Sequence, residues 1–129
     1  MIVLDENVFE SQRAQLRAWR IHLCQIGRDV GRKGMHDDEI IPLLRKIRRP
    51  TFISRDRDFF SKKLASDDYT LLFLDVGPLD VAEFVRRLLR HADFKTWNQR
   101  RGCVARVSSS EISLWRVHAA RLARYSWVD

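Results

Sequence analysis

Apolar and polar positions change period several times along this chain, and each change marks an element. Residues 1–5 (MIVLD) form a short apolar run closed by a carboxylate, the pattern of a buried strand. Residues 8–19 set Val8, Phe9, Leu16 and Trp19 among polar residues, as an amphipathic helix does. Residues 21–26 alternate as a second strand, and a glycine-containing loop follows with solvated Arg28, Arg32 and Lys33. Asp37 or His36 caps the next helix, which turns Ile40, Ile41, Leu43, Leu44 and Ile47 inward until Pro50 stops it. Residues 51–54 read as a third strand and 55–64 as a short helical segment. Residues 69–76 are the most apolar run and belong at the centre of a sheet. Pro78 opens a long helix to about His91, with Val81, Phe84, Val85, Leu88 and Leu89 as its stripe. Residues 103–107 and 112–117 read as a hairpin around 108–111, and 118–125 as a last basic helical turn or tail.

Four strands alternating with helices imply an α/β domain built on a parallel sheet, with the hairpin added at an edge. The 129 residues fit one domain. No apolar run approaches the roughly 18–20 residues of a membrane span. No basic stretch precedes the apolar start, so the N-terminus does not read as a signal peptide. Cys24 and Cys103 are too few for a disulfide framework. The expectation is a soluble cytoplasmic protein with reduced thiols and no membrane partner. Charge adds a direction: Lys and Arg number 24 against 17 acidic residues, a net +7. Most of these cations are Arg, whose planar fork suits phosphate, and residues 94–129 are Arg-rich. An anionic polymer is the partner this balance favours.

In parallel sheets functional groups gather beyond the carboxyl ends of the strands. Asp5 closes the first strand, with Glu6 and Asn7 after it. Asp37, Asp38 and Glu39 open the helix leading to the third strand, and Asp56 and Asp58 follow that strand. If the first and third strands are neighbours, these carboxylates converge. Their mutual repulsion then calls for a cation, and Mg²⁺ or Mn²⁺ is held by such oxygens. Two such ions can drive phosphodiester hydrolysis. Plainer roles exist: Asp37 and Asp58 as helix caps, Asp38 and Glu39 as a solvated face, Asp67, Asp68 and Asp80 as loop and cap residues. Asp75 ends a strand and could join the site. Other chemistries find less support. Glycine-rich phosphate loops are absent, the cysteines have no CxxC partner, and His22, His36, His91 and His118 lack zinc spacing. Ser108–Ser110 sits in a hairpin turn without a nucleophile elbow. Trp19, Trp97 and Trp115 read as packing residues, whereas Trp127 is free to do otherwise.

Three segments in order, Leu4-Asp5-Glu6-Asn7, His36-Asp37-Asp38-Glu39-Ile40-Ile41 and Phe52-Ile53-Ser54-Arg55-Asp56-Arg57-Asp58-Phe59, resemble small bacterial PIN-like proteins. The resemblance covers residues 1–76 and fades beyond 95. It implies a PIN-like parallel sheet over residues 1–95, with residues 96–129 as an Arg-rich extension packed on the same domain. It also implies a ribonuclease site in which Asp5, Asp56 and Asp58 hold Mg²⁺ or Mn²⁺ and Asp37 completes the catalytic set. Asn7 and Ser54 support these groups, Ser54 standing where the family usually has Thr. Arg55 and Arg57 beside the ligands, and Arg100 and Arg101 in the extension, are the expected nucleic-acid contacts. Such proteins are often toxins of toxin–antitoxin pairs, which implies an RNA substrate and a small antitoxin partner, and allows a homodimer. One rival is a non-catalytic PIN-like module that binds nucleic acid or a protein partner. Another is a phosphoryl-receiver-like signalling domain, against which stands the lack of a fifth parallel strand ending in Lys.

Overall fold

A computed structural model describes residues 1–127. Seven strands form one mixed sheet in the order β2-β1-β3-β4-β5-β6-β7. The parallel part comprises β1 (Ile2–Leu4), β2 (Leu23–Gln25), β3 (Thr51–Ser54), β4 (Thr70–Asp75) and β5 (Cys103–Ser108). β6 (Glu111–Arg116) and β7 (Ala123–Ser126) continue it antiparallel. Four helices join them: α1 (Glu10–Ala18), α2 (Asp37–Leu44), α3 (Val81–Arg90) and the single turn α4 (Trp97–Arg100). The protein is therefore α/β with a mostly parallel sheet. Among the described residues no helix is long and apolar enough to cross a membrane.

Alternation along the strands divides the core between two faces. Leu4, Ile53, Leu72, Leu74, Ala105, Val107, Ile112 and Leu114 meet Leu16 of α1 and the Val81, Phe84, Val85 and Leu88 stripe of α3. Each large side chain in that stripe contributes roughly 1.5–3 kcal/mol by leaving water. Val3, Phe52, Leu71 and Val104 face the other way, onto Ile40 and Leu44 of α2 and onto Phe59. On the first of these faces α1 and α3 are tied to each other by a helix-to-helix bond. Gln12 of α1 is buried and its Oε1 accepts the Ala82 amide at the start of α3, 2.9 Å away. A donor with no partner inside its own helix is thereby satisfied.

Four expectations change. The hairpin does extend the sheet beyond β4, but its first strand, β5, pairs in parallel with β4 and supplies a fifth parallel strand. That strand runs into Ser108-Ser109-Ser110 rather than Lys, so the receiver-like reading still lacks its lysine. Residues 118–125 are not helical: the chain turns at His118, whose φ is +67°, and β7 pairs with β6. The reason is a period of two, since Ala123, Tyr125 and Trp127 all pack on the α3 side. The second helix ends at Leu44 rather than running on until Pro50. Pro42 lies inside it and lacks an amide to donate, and Arg49 turns the chain with φ +50° before β3. Lastly, Thr96 caps α4 through a 3.2 Å bond from the Gln99 amide to its hydroxyl, a helix the pattern does not predict.

Candidate metal centre

The chain runs from β1 to β2 on one side and to β3 on the other, so its direction reverses between β1 and β3. A crevice opens there, outside the carboxyl ends of both strands. Asp5 follows β1 directly, its amide bonded to the Ile53 carbonyl at 2.9 Å. The turn after it is held from below by Gln25, buried at the end of β2. Gln25 Nε2 donates to the carbonyls of Asp5 and Val8, each at 3.0 Å. Gln25 is positioned in turn by Asp29, which accepts its amide at 2.9 Å and pairs with the buried Arg13 at 2.9 Å. Sequence reasoning missed this brace; its signal is a polar residue closing an otherwise apolar alternating strand.

Ser54 joins the two strand ends. Its hydroxyl donates to Asp5 Oδ2 at 2.7 Å and accepts the Asp56 amide at 3.0 Å. Asp56 then accepts the Asp58 amide at 2.9 Å, capping the 3₁₀ turn Arg57–Phe59. Phe59, buried edge-on against Phe52 with ring centres 4.9 Å apart, pins that turn to the sheet. Asp37 arrives from the opposite wall as the first residue of α2. Among the described residues, carboxylate oxygens of Asp37, Asp56 and Asp58 all lie within 4.8 Å of one another, and all three side chains are exposed.

Asp5 is not part of that group of three. It lies in the adjoining cleft, of about 260 Å³, with Asp37 and Asp56 also in its lining. Val8, Met35 and Ile40 make the cleft's apolar wall, while Asn7 and Arg55 stand on its rim. Glu6 also lines the cleft, its Oε1 accepting the Gly34 amide at 2.8 Å. Burial pushes the Asp5 carboxyl above its ordinary value, with the charges of Asp56 and Glu6 adding to this. The Ser54 hydroxyl and Glu6 amide pull it down. Asp37 is also raised, first by desolvation and then by the charges of Asp56, Asp58 and Asp5. Among the described residues no cation is within ion-pair distance of these four aspartates. Converging carboxylate oxygens without a counter-charge are the donor set that hard divalent cations take. The triad could hold such an ion.

The expected nucleic-acid contacts separate into two groups. Arg55 lies on the rim of the cleft, its Nε bonded to the Val76 carbonyl at 2.9 Å. The Arg57 guanidinium stands 5.9 Å from the Phe73 ring centre, between Asp56 and Asp58 in the chain. Arg100 is elsewhere: it is buried at the amino end of the sheet, donating to Thr51 Oγ1 at 3.2 Å and the Phe94 carbonyl at 2.8 Å. Its guanidinium closes that end of the fold and is not carried forward as a phosphate contact. Arg101, also at that end, is exposed and bonds the Asp67 carbonyl at 3.0 Å. Asp75 does not join the cluster, because Arg106 holds its Oδ2 through two bonds, at 2.9 and 2.5 Å. Trp127 is not free: its Nε1 donates to the Ser108 carbonyl at 2.6 Å, and its ring packs on Phe84. No family model, no curated protein and no solved structure matches the chain.

Proposed function

We propose that the chain is a divalent-metal-dependent endoribonuclease of PIN type, acting as the toxin of a toxin–antitoxin pair. One observation carries this reading: Asp37, Asp56 and Asp58 converge within 4.8 Å beside the Asp5 cleft at the strand switch point. The PIN-like resemblance of residues 4–7, 36–41 and 52–59 supports it. The donor set fits a hard cation, since it consists of carboxylates and lacks thiolate and imidazole. Mg²⁺ or Mn²⁺ bound here supplies Lewis acidity and an activated water for phosphodiester hydrolysis. Asp37, Asp56 and Asp58 hold the ion. Asp5, fixed by Ser54, completes the oxygen set or takes a proton from the attacking water. Arg55 on the rim contacts the scissile phosphate, and Arg57 a flanking one.

The test is cleavage of labelled mixed-sequence RNA with Mn²⁺ or Mg²⁺, beside an EDTA control and the Asp56→Asn variant. Cleavage is expected to need the metal and to fall at least about a hundredfold in the variant. Undiminished cleavage by a folded Asp56→Asn protein would overturn the site. Tight, salt-sensitive RNA binding without any cleavage would instead favour the non-catalytic module. Induced expression in a bacterium tests the toxin role: growth should stop with the native chain and continue with Asp56→Asn.

A further inference from the structure

One row of paired positions crosses the sheet from the acidic end to the last strand. Ser54 pairs with Phe73, Phe73 with Arg106, Arg106 with Ser113, and Ser113 with Arg124. Residues paired in register project to one side of a sheet, and so do their neighbours two positions along the strand. This side is opposite α3, because Ile112, Leu114 and Tyr125 are the residues that pack with α3. The cluster beneath α2 takes Val104 from β5 and nothing from β6 or β7. Among the described residues, therefore, no α-helix packs on the far side of β5–β7, which is reached only at Trp115 by the 3₁₀ turn Lys62–Leu64.

Its chemistry is basic and aromatic. Arg124 and Lys62 are exposed, and Trp115 is half-buried but belongs to neither apolar cluster. The Lys62 ammonium stands 5.1 Å from the Trp115 ring centre. Arg57 over Phe73 begins the row beside Asp56 and Asp58, and Arg124 ends it three strand spacings away, about 14 Å. Two carboxylates share this side, Asp75 paired with Arg106 and Glu111 at the edge, so cations are in excess. Among the described residues, a protein partner seeking apolar contact would find one aromatic ring and no exposed aliphatic side chain on this side. A polyanion carrying flat rings finds both complements.

We propose that this face of β5–β7, which no α-helix covers, receives single-stranded RNA on its way to the carboxylate cleft, with backbone phosphates on Arg57, Lys62 and Arg124 and an unpaired base stacked on Trp115. The assignment rests on the ribonuclease reading for its direction, and its binding test is independent of cleavage. It moves the RNA contacts of the C-terminal extension from Arg100 and Arg101, at the amino end of the sheet, to Trp115 and Arg124 on β6 and β7.

The experiment measures binding of a fluorescein-labelled mixed-sequence single-stranded RNA in EDTA across a salt series. The double variant Lys62→Ala/Arg124→Ala should lower the slope of log affinity against log salt by about 1.4, two cations at roughly 0.7 each. Trp115→Leu should weaken binding about tenfold and leave that slope unchanged, whereas Trp115→Tyr restores it, as stacking requires. A control of equal charge on the helical side, Arg17→Ala/Arg90→Ala, should change affinity by no more than about twofold. Thermal melts confirm that each variant is folded. Equal loss in the control, native-like binding by Trp115→Leu, equally tight binding of duplex RNA, or no RNA binding by the native chain would each overturn the proposal. So would face variants that bind RNA normally and lose self-association or a protein partner. A chain that binds in this way and never cleaves retains the face and loses the nuclease. One that cleaves through Asp56 yet ignores the face variants does the reverse.

Discussion

β1 and β4 are parallel strands of one sheet, and aspartate stands at the carboxyl end of each, yet the two carboxylates are treated in opposite ways. Asp75 at the end of β4 is gripped by the Arg106 fork from the neighbouring strand. Asp5 beyond β1 receives neutral donors, the Ser54 hydroxyl and the Glu6 amide, and its charged neighbours are other carboxylates. Position at a strand end is shared, so position alone does not make a site. What separates them is whether the fold supplies the counter-charge. Where it does, the carboxylate is structural. Where it assembles three more aspartates instead, the deficit is left for a ligand to fill.

The widest break between the two ends is their response to a cation. Mn²⁺ at about a hundred times its dissociation constant should stabilise the native chain by about 2.7 kcal/mol, raising the thermal midpoint by roughly 10 °C, reversibly with EDTA. Asp75→Asn should keep that rise, and Asp37→Asn/Asp56→Asn should lose it, as read by scanning calorimetry. An equal rise in all three proteins would erase the distinction. A smaller effect separates the two carboxylates without metal. Asp75→Asn strands Arg106 and should cost about 1 kcal/mol, a modest figure because the side chains are 33% and 37% exposed. Asp5→Asn removes an uncompensated charge and should instead raise the midpoint at pH 7.

The smallest effect sharpens the comparison through pH. The folded pKa of Asp5 is raised, so the native state binds its proton more readily than the unfolded chain does. Ionised Asp5 therefore costs stability at neutral pH, and the cost disappears as pH falls through the folded value. The advantage of Asp5→Asn, about two degrees, should be full at pH 7 and vanish below the ordinary aspartate range. Asp29 has the opposite sign, being lowered chiefly by its hydrogen bond with Arg13. Its contribution is present above the unfolded value and lost as pH falls through the folded one, so Asp29→Asn should destabilise at pH 7 and converge with the native chain in acid. Chemical unfolding across the pH range reads both curves; parallel curves for the two variants would contradict this account.

Local pattern made the first three strands, the central β4 and the α3 stripe legible, because burial on one face repeats with the period of each element. The same rule was available for Ala123, Tyr125 and Trp127. It is easily overlooked in four residues crowded by Arg, where charge suggests a solvated tail. The aspartates could be nominated because they follow strands. Their grouping could not: Asp37, Asp56 and Asp58 meet, while Asp5 stands beside them behind Ser54. Gln25 and Arg106 were illegible for a related reason, since each acts on a segment distant in sequence, through contacts only the sheet order creates.

By itself the sequence determined which residues are apolar at which period, and hence an α/β chain with carboxylates at the ends of its strands. It also determined an excess of Arg. Tertiary structure decided which charges are already balanced. It buried Arg100 among neutral acceptors, paired Arg106 with Asp75, and left four aspartates at the β1–β3 switch point with no cation within ion-pair distance among the described residues. The physical reason is range: periodicity is written within a few consecutive residues, whereas Coulomb interaction depends on distance in space, which only the ordering of strands sets.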